Sequence, residues 1–291
     1  MASSEPRSRP APAPFAARVL VLAVVAFAVG WATSEGAASP LADGRAPFLL
    51  AKALLDVTVL SYVAARSRWR GPALVGSLLF VYAGLQTLAV VEVGLYGLMG
   101  WPVALQAAAR SVVVGGVIAA AVAAAFGRLR GRGRPRRDDR LRLPAREWAW
   151  KLPVLVVAFL ACFLAGGVVV FLGVGRLVDP AALATYDLLE PPDWIFHFQA
   201  VRGLVYLGLL LPVLAQLDAD ARESQFVGAT TLAVLVSSGV VVPNAGIPGL
   251  LWVAHFAELF ASVFVYGLVA AALVWRHHDP LARLRHGSTA A

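Results

Sequence analysis

The sequence predicts an all-α polytopic membrane protein of eight transmembrane helices, arranged as two parallel four-helix repeats with both termini in the cytoplasm. Three observations predict this fold. Of the 291 residues, 59% are hydrophobic and 14% charged, whereas a soluble domain carries about 25% charged residues. The apolar runs are about 20 residues long, the length at which a helix spans a bilayer. The arginines are concentrated in alternate loops.

Each apolar run is predicted to form one membrane-spanning helix. The eight runs cover residues 15–33, 46–65, 72–98, 101–127, 150–175, 196–217, 225–243 and 250–275. Residues 1–14 are rich in proline and serine, a composition typical of disorder, and are predicted to form a cytoplasmic tail. Residues 276–291 are predicted to form a second cytoplasmic tail.

The basic residues predict the orientation of the chain. The net charge is +8, and nine arginines lie within 128–146, between the fourth and fifth runs. With eight spans, this loop and both tails fall on one side, and the loops on the other side are mainly acidic. Cytoplasmic loops carry the excess of lysine and arginine, so the chain is predicted to lie in the cell (inner) membrane with cytoplasmic termini. The basic loop then lies near anionic lipid headgroups, and no nucleic acid partner is expected.

The two halves of the chain resemble two copies of one unit. The second and sixth runs align without a gap at an offset of 150, which pairs Lys52 with Arg202. Four spans are an even number, so both copies have the same orientation and form a parallel repeat. The predicted units are 15–127 and 150–275, joined by a basic linker at 128–149.

Six ionisable residues lie well inside the apolar runs. They are Lys52, Asp56, Glu92, Arg110, Arg202 and Glu258. Such residues are costly in a membrane and usually face a partner or a water-filled cavity. Five of them lie roughly 8–14 Å from the extracytoplasmic surface at a rise of 1.5 Å per residue, and Asp56 lies one turn beyond Lys52. The inner halves of the fourth, sixth and eighth runs carry no charge. This distribution predicts a polar pocket that opens outward.

Helical geometry adds further residues to this pocket. At about 100° per residue, Gln199, Arg202 and Tyr206 share one arc of the sixth run, whereas His197 points roughly the opposite way. His255 and Glu258 share one stripe of the eighth run. The predicted ligand-binding residues are Lys52, Asp56, Glu92, Arg110, Gln199, Arg202, Tyr206, His255 and Glu258.

The charge of the pocket favours binding or transport of a small anionic or zwitterionic solute or of a lipid headgroup. One alternative is a purely structural ion-pair network, and we expect Arg202 to pair with Glu258 because both lie at similar depth in one unit. Another is a membrane enzyme that acts on a lipid-linked substrate at the outer leaflet, where the cations hold a phosphate or carboxylate and Glu258 or Asp56 is the general base. The sequence alone determines neither the ligand nor the oligomeric state.

Two histidines, His197 and His255, lie at one depth on the sixth and eighth runs. In this span plan the chain resembles the haem A synthase family, which has eight spans, a four-plus-four parallel duplication and haem-ligating histidines on spans six and eight. The resemblance covers the span plan only, and it implies a b-type haem as a further alternative. The first unit has no histidine and carries Lys52 and Asp56 where that family has a glutamate and a histidine. We therefore expect no haem, and no metal site.

Overall fold

A computed structural model shows the chain as a bundle of α-helices. It describes residues 12–33, 44–97, 99–131, 141, 143–169, 173, 193–242 and 249–275. Their helices are α1 Pro12–Ala32, α2 Ala46–Arg66, α3 Pro72–Leu95, α4 Trp101–Ala125, α5 Ala145–Val169, α6 Ile195–Gln216, α7 Ala221–Ser237, the 3-10 turn Ser238–Val241 that extends α7, and α8 Gly249–Trp275. Within these residues, eight helices are long and apolar enough to cross a membrane. The prediction of eight apolar helices of spanning length is confirmed.

The predicted tails and linker fall mostly outside the described residues. Residues 1–11, 276–291, 132–140 and 142 are not described. Helix α1 begins at Pro12, so the last three residues of the predicted N-terminal tail are helical.

Helices α5 and α7 begin four or five residues before the apolar runs that predict them. Their first turns are polar, so a hydropathy pattern does not include them. At the start of α7, the carboxylate of Asp220 accepts a hydrogen bond of 2.8 Å from the backbone N–H of Glu223, which caps the helix. In α5, Glu147 forms an ion pair with Lys151 one turn later. Hydropathy alone excludes charged residues from a span. Here their hydrogen bonds and ion pairs offset the cost of placing them in the first turn of a helix.

Four helices, α2, α3, α6 and α7, form the most buried part of the bundle, and α1, α4, α5 and α8 lie outside them. In the first half, α1 packs against α2 and α4, and α3 packs against α4. In the second half, α5 packs against α6 and α8, and α7 packs against α8. Between the halves, α2 packs against α7 and α3 against α6. The same pairs of neighbours therefore recur in both halves.

Main-chain hydrogen bonds also join the halves, at the C-terminal ends of α2 and α6. Ser67 and Leu217 form an isolated antiparallel β-bridge, and the residues that flank them exchange two N–H···O=C hydrogen bonds of 2.8 Å. Ser67 and Leu217 are both buried. The bridge pairs residues at the offset of 150 at which the sequences of α2 and α6 align.

The outer surface of the bundle is apolar. Val21 of α1, Leu105 of α4 and Val157 of α5 are each about two-thirds exposed, and in a bilayer such faces contact lipid tails. Because consecutive spans alternate in direction, α2, α4, α6 and α8 all begin at one end of the bundle. We call it the predicted outer end, and the opposite end the predicted inner end.

Candidate functional site

Four polar residues come together where α6 meets α3, near the predicted outer end. They are Glu92, Gln199, Arg202 and Tyr206, and we name them the α6 cluster. The guanidinium of Arg202 donates from Nη1 to Glu92 Oε1 at 2.6 Å and from Nε to the Tyr206 hydroxyl at 2.7 Å. A longer bond of 3.4 Å runs from Nη1 to Gln199 Oε1. Arg202 is only 5% exposed, and its ion pair joins the two halves of the chain.

The side-chain amide of Gln199 has a donor that is not used. The residue is completely buried, and its Oε1 must face Arg202 because an arginine can only donate. Its Nε2 is buried and has no hydrogen-bond partner among the described residues. A buried donor without a partner costs about 1–3 kcal/mol. The α6 cluster therefore presents a donor for which the described part of the chain supplies no acceptor.

A second charged group, the α2 pair, lies within one helix. Lys52 Nζ lies 2.6 Å from Asp56 Oδ2, one turn later in α2. The same Nζ is 3.5 Å from the Ser238 hydroxyl and 5.7 Å from the centre of the Tyr82 ring. Asp56 is buried, whereas the Lys52 side chain keeps 19% of its surface exposed. The α2 pair is thus neutral without a carboxylate from another helix.

A third group, the α8 pair, comprises His255 and Glu258. The imidazole Nδ1 lies 3.1 Å from Glu258 Oε2. Helix α5 approaches this stripe at Gly166, where a Cβ would lie 2.8 Å from Glu258 Cγ and 2.5 Å from Ser262 Oγ. The polar stripe of α8 therefore faces α5, inside the second half of the bundle.

An aromatic contact links the α8 stripe to the α6 cluster. The ring of Phe159 in α5 packs edge-on against Tyr206 and Tyr266, with centroid distances of 5.4 and 5.0 Å. The Tyr266 hydroxyl donates to the carbonyl oxygen of Gly203 at 2.6 Å.

Arg110 lies apart from these three groups. Its Nε donates to Thr33 Oγ1 at 3.1 Å, and its Nη2 donates to the Gly30 carbonyl oxygen, both at the end of α1. The Arg110 side chain is exposed at the surface of the bundle. Its contacts with the described residues thus cap the last turn of α1, where carbonyl groups lack helical partners.

His197 is exposed, on the opposite side of α6 from the buried Gln199, as its helical position predicts. His255 lies in a stripe that faces α5. A haem held between α6 and α8 needs both imidazoles to face one cavity between these helices. The positions of His197 and His255 do not fit that arrangement.

The expectation that Arg202 pairs with Glu258 is wrong. Arg202 bonds to Glu92 of α3, and Glu258 bonds to His255 in its own helix. Similar depth in the membrane does not select between these two carboxylates. The choice depends on which helix faces the polar arc of α6, and that helix is α3 of the other half.

Two ion pairs at the predicted inner end, Arg66 with Glu223 and Glu147 with Lys151, are not among the predicted ligand-binding residues. Glu223 of α7 accepts hydrogen bonds of 2.9 and 2.7 Å from Arg66 and one of 2.9 Å from the Tyr62 hydroxyl. Lys151 is fully buried beside Glu147. Ionisable groups therefore lie inside the bundle at both ends and not only in its outer half, half-buried at Glu223 and fully buried at Lys151. The i, i+4 spacing of Glu147 and Lys151 is the sequence signal for that pair.

Comparison with known proteins finds no matching family, no similar curated protein and no similar solved structure. Across the described ranges, no group of three histidine, cysteine or carboxylate side chains lies close enough together to hold a metal ion.

Proposed function

We propose that this chain is an inner-membrane protein whose α6 cluster binds an anionic or zwitterionic group, carried by a small solute or a lipid head, and holds it or carries it across the membrane. The supporting observation is the buried Nε2 of Gln199, which lacks an acceptor among the described residues. A carboxylate or phosphate oxygen would accept from this amide, and Arg202 retains its Nη2 for a second, charge-assisted bond. Glu92 would face the cationic part of a zwitterion.

A pair of glutamine substitutions tests whether the amide serves a ligand. Gln199→Leu removes a donor that has no partner in the described fold, together with an acceptor that makes only a long bond of 3.4 Å to Arg202, so we expect the free energy of unfolding in detergent to stay equal or rise. Gln86→Leu is the matched control, because Gln86 Nε2 donates to the Leu235 carbonyl at 3.0 Å. Its loss should cost about 1 kcal/mol. A large loss of stability in Gln199→Leu would show that the amide has a structural role and would contradict ligand binding at Gln199.

Ligand binding is measured on the purified full-length chain as a rise in Tm with inorganic phosphate, glycine or short-chain phosphatidylglycerol as the probe. A probe present at 100 times its Kd stabilises the folded state by about 2.7 kcal/mol. We expect a concentration-dependent rise in the wild type with at least one probe, and no rise in Gln199→Leu. Equal shifts in both proteins would place the binding elsewhere.

The alternative, an enzyme that acts on a lipid-linked substrate, is favoured by the α8 pair. A carboxylate bonded to imidazole Nδ1 fixes the orientation of the ring, so that Nε2 is the nitrogen that takes a proton from a substrate. Glu258 lies in this position relative to His255. Vesicle lipids incubated with the protein and analysed by mass spectrometry should then yield a product with the wild type and none with His255→Gln. Turnover that persists in His255→Gln would remove this candidate.

We also propose that the chain is a parallel duplication. The alignment of α2 with α6 at an offset of 150 is supported by the β-bridge, which pairs Ser67 with Leu217 at the same offset. It is also supported by the recurring pairs of helix neighbours and by the i, i+4 contacts from Lys52 and from Arg202. The β-bridge would then lie on the pseudo-two-fold axis.

The proposed orientation places the termini in the cytoplasm. In a Cys162→Ala background, a single cysteine at Asp193 should react with an impermeant maleimide in intact cells, and one at Arg130 should react only after lysis. Both native residues are exposed. Labelling of Arg130→Cys in intact cells would reverse the orientation, and with it the side from which a ligand enters.

A further inference from the structure

An apolar groove runs along the outside of the bundle between α3, α4 and α6. Its volume is about 380 Å³, and its lining includes Leu79, Gly84, Thr87, Leu88, Val112 and Val205. Phe80, at its edge, is 53% exposed, so the groove opens on the surface that contacts lipid.

The groove ends at the α6 cluster. Its lining in α3 extends from Leu79 to Val91, and Val91 directly precedes Glu92 in the chain. On α6, Val205 lies one turn after Arg202. Glu92 also lies one helical turn beyond the lining residue Leu88, so the α6 cluster, most of which is buried, adjoins the groove at its predicted outer end.

The length of the groove matches one leaflet of a bilayer. From Leu79 to Val91 the helix rises about 18 Å at 1.5 Å per residue. The hydrocarbon core is about 30 Å thick, so that one leaflet accounts for about 15 Å. Because Glu92 lies below the outer surface, a hydrocarbon tail that starts at its depth would pass the middle of the bilayer and end near the inner end of the groove.

We propose that this groove holds the hydrocarbon tail of an outer-leaflet lipid whose anionic or zwitterionic head lies at the α6 cluster. The inference rests on the proposed function and narrows its ligand to a membrane lipid. The head supplies the oxygen that accepts from Gln199 Nε2, and the tail covers the apolar wall beside it. Gly84 in the groove lining lets Leu209 of α6 pack directly on α3, because a Cβ at this position would lie 2.5 Å from Leu209 Cδ2.

Photo-crosslinking tests the groove directly. The full-length protein is reconstituted in phosphatidylcholine vesicles that contain phosphatidylglycerol with a diazirine on its tail, and labelled peptides are mapped by mass spectrometry. Labelling of 79–91 and Val205 should exceed labelling of Val157 of α5, which is 65% exposed on the lipid-facing surface, by about tenfold, and this ratio corresponds to about 1.4 kcal/mol of preference. Equal labelling of all lipid-facing surfaces would overturn the proposal, since bulk lipid would then fill the groove.

Two tryptophan substitutions provide a matched control. Thr87→Trp places a large side chain in the groove and should abolish the excess labelling. Val113→Trp lies on the lipid-facing side of α4 outside the groove lining, where Val113 is 56% exposed, and should leave the labelling unchanged. Excess labelling that survives Thr87→Trp would contradict the proposal. If Thr87→Trp does not fold, the labelling map of the wild type decides.

The Gln199→Leu variant tests binding of the headgroup separately from binding of the tail. If both proposals hold, the wild type prefers diazirine-tailed phosphatidylglycerol to diazirine-tailed phosphatidylcholine in the groove, and Gln199→Leu loses that preference. Excess groove labelling with the same headgroup preference in both proteins would contradict the proposed function at Gln199, although the groove would still hold a tail. A Tm shift with inorganic phosphate together with even labelling would contradict the lipid assignment alone.

Discussion

Helices α2 and α6 carry a cation at the same position of their alignment and neutralise it in different ways. Lys52 pairs with Asp56 one turn later in its own helix. Arg202 has Tyr206 at the position that corresponds to Asp56, and its carboxylate partner, Glu92, comes from the other half of the chain. One cation is therefore compensated locally, and the other depends on the packing of α6 against α3. The second arrangement also includes Gln199, whose Nε2 has no hydrogen-bond partner among the described residues.

The residue that follows the cation also differs between the two helices, and this difference also favours contacts between helices at α6. Ala53 of α2 corresponds to Gly203 of α6, and a Cβ at Gly203 would lie 2.9 Å from Cβ of Phe159. Phe159 packs against Tyr206 of the α6 cluster. The absence of a side chain at Gly203 thus lets Phe159 of α5 pack against α6 and contact Tyr206. The comparison indicates that α6 is specialised to hold a cation between helices, whereas α2 keeps its cation within one helix.

The largest effect is expected when the carboxylate of the α6 cluster is neutralised. Glu92→Gln leaves the charge of Arg202 buried without an anionic partner, which should lower the free energy of unfolding by about 3 kcal/mol. Adding Arg202→Met should restore much of this loss, because the unpaired charge is removed as well. Denaturant titration in detergent measures both. Losses that add in the double variant would show that the pair is not coupled.

The next effect tests the small residue behind the cluster. Gly203→Ala gives α6 the residue that α2 has, and it should destabilise the protein by about 2 kcal/mol because the new methyl group meets the Phe159 side chain. Gly208→Ala is the control on the same helix, since nothing lies within 4 Å of a Cβ there. Thermal unfolding of both variants checks the contrast. Equal Tm values would mean that α5 moves without cost.

Breaking the α2 pair should have a smaller effect. Asp56→Asn leaves Lys52 without its carboxylate, but this side chain is 19% exposed and lies near the predicted outer end, so its ammonium group can move towards the headgroups. We expect a loss of about 1 kcal/mol. A loss as large as that of Glu92→Gln would show that the two cations are equally dependent on their partners.

The smallest effect is a coupling energy close to zero. Arg202 and Glu258 share no bonding partner among the described contacts. The effects of Arg202→Ala and Glu258→Ala should therefore add within about 0.5 kcal/mol. A coupling above about 1 kcal/mol would return Glu258 to the α6 cluster.

The number of helices and the buried face of α6 could be predicted from the sequence, because hydropathy and the 3.6-residue period are local properties. The partner of Arg202 could not be predicted. Glu92 and Glu258 lie at similar depth, and only the contact between α3 and α6 across the halves decides between them. The same limit applies to Glu223, which follows a helix cap at the edge of an apolar run and meets its partners, Arg66 and Tyr62 of α2, only in the folded bundle. The depth of Arg110 in the fourth run predicts that it lies in the pocket, but its described hydrogen bonds are to the end of α1.

During synthesis, the main-chain groups around Ser67 leave the ribosome long before those around Leu217. The two segments are 150 residues apart, which corresponds to roughly 8–30 s at 5–20 residues per second. When α6 is made, α1 to α4 have already been synthesised, while the backbone groups around Ser67 still lack their final partners. Glu92 likewise has no arginine from α6 to bond. Closure of the bundle is therefore a late step of biogenesis, and the first half has to persist in the lipid until α6 and α7 arrive.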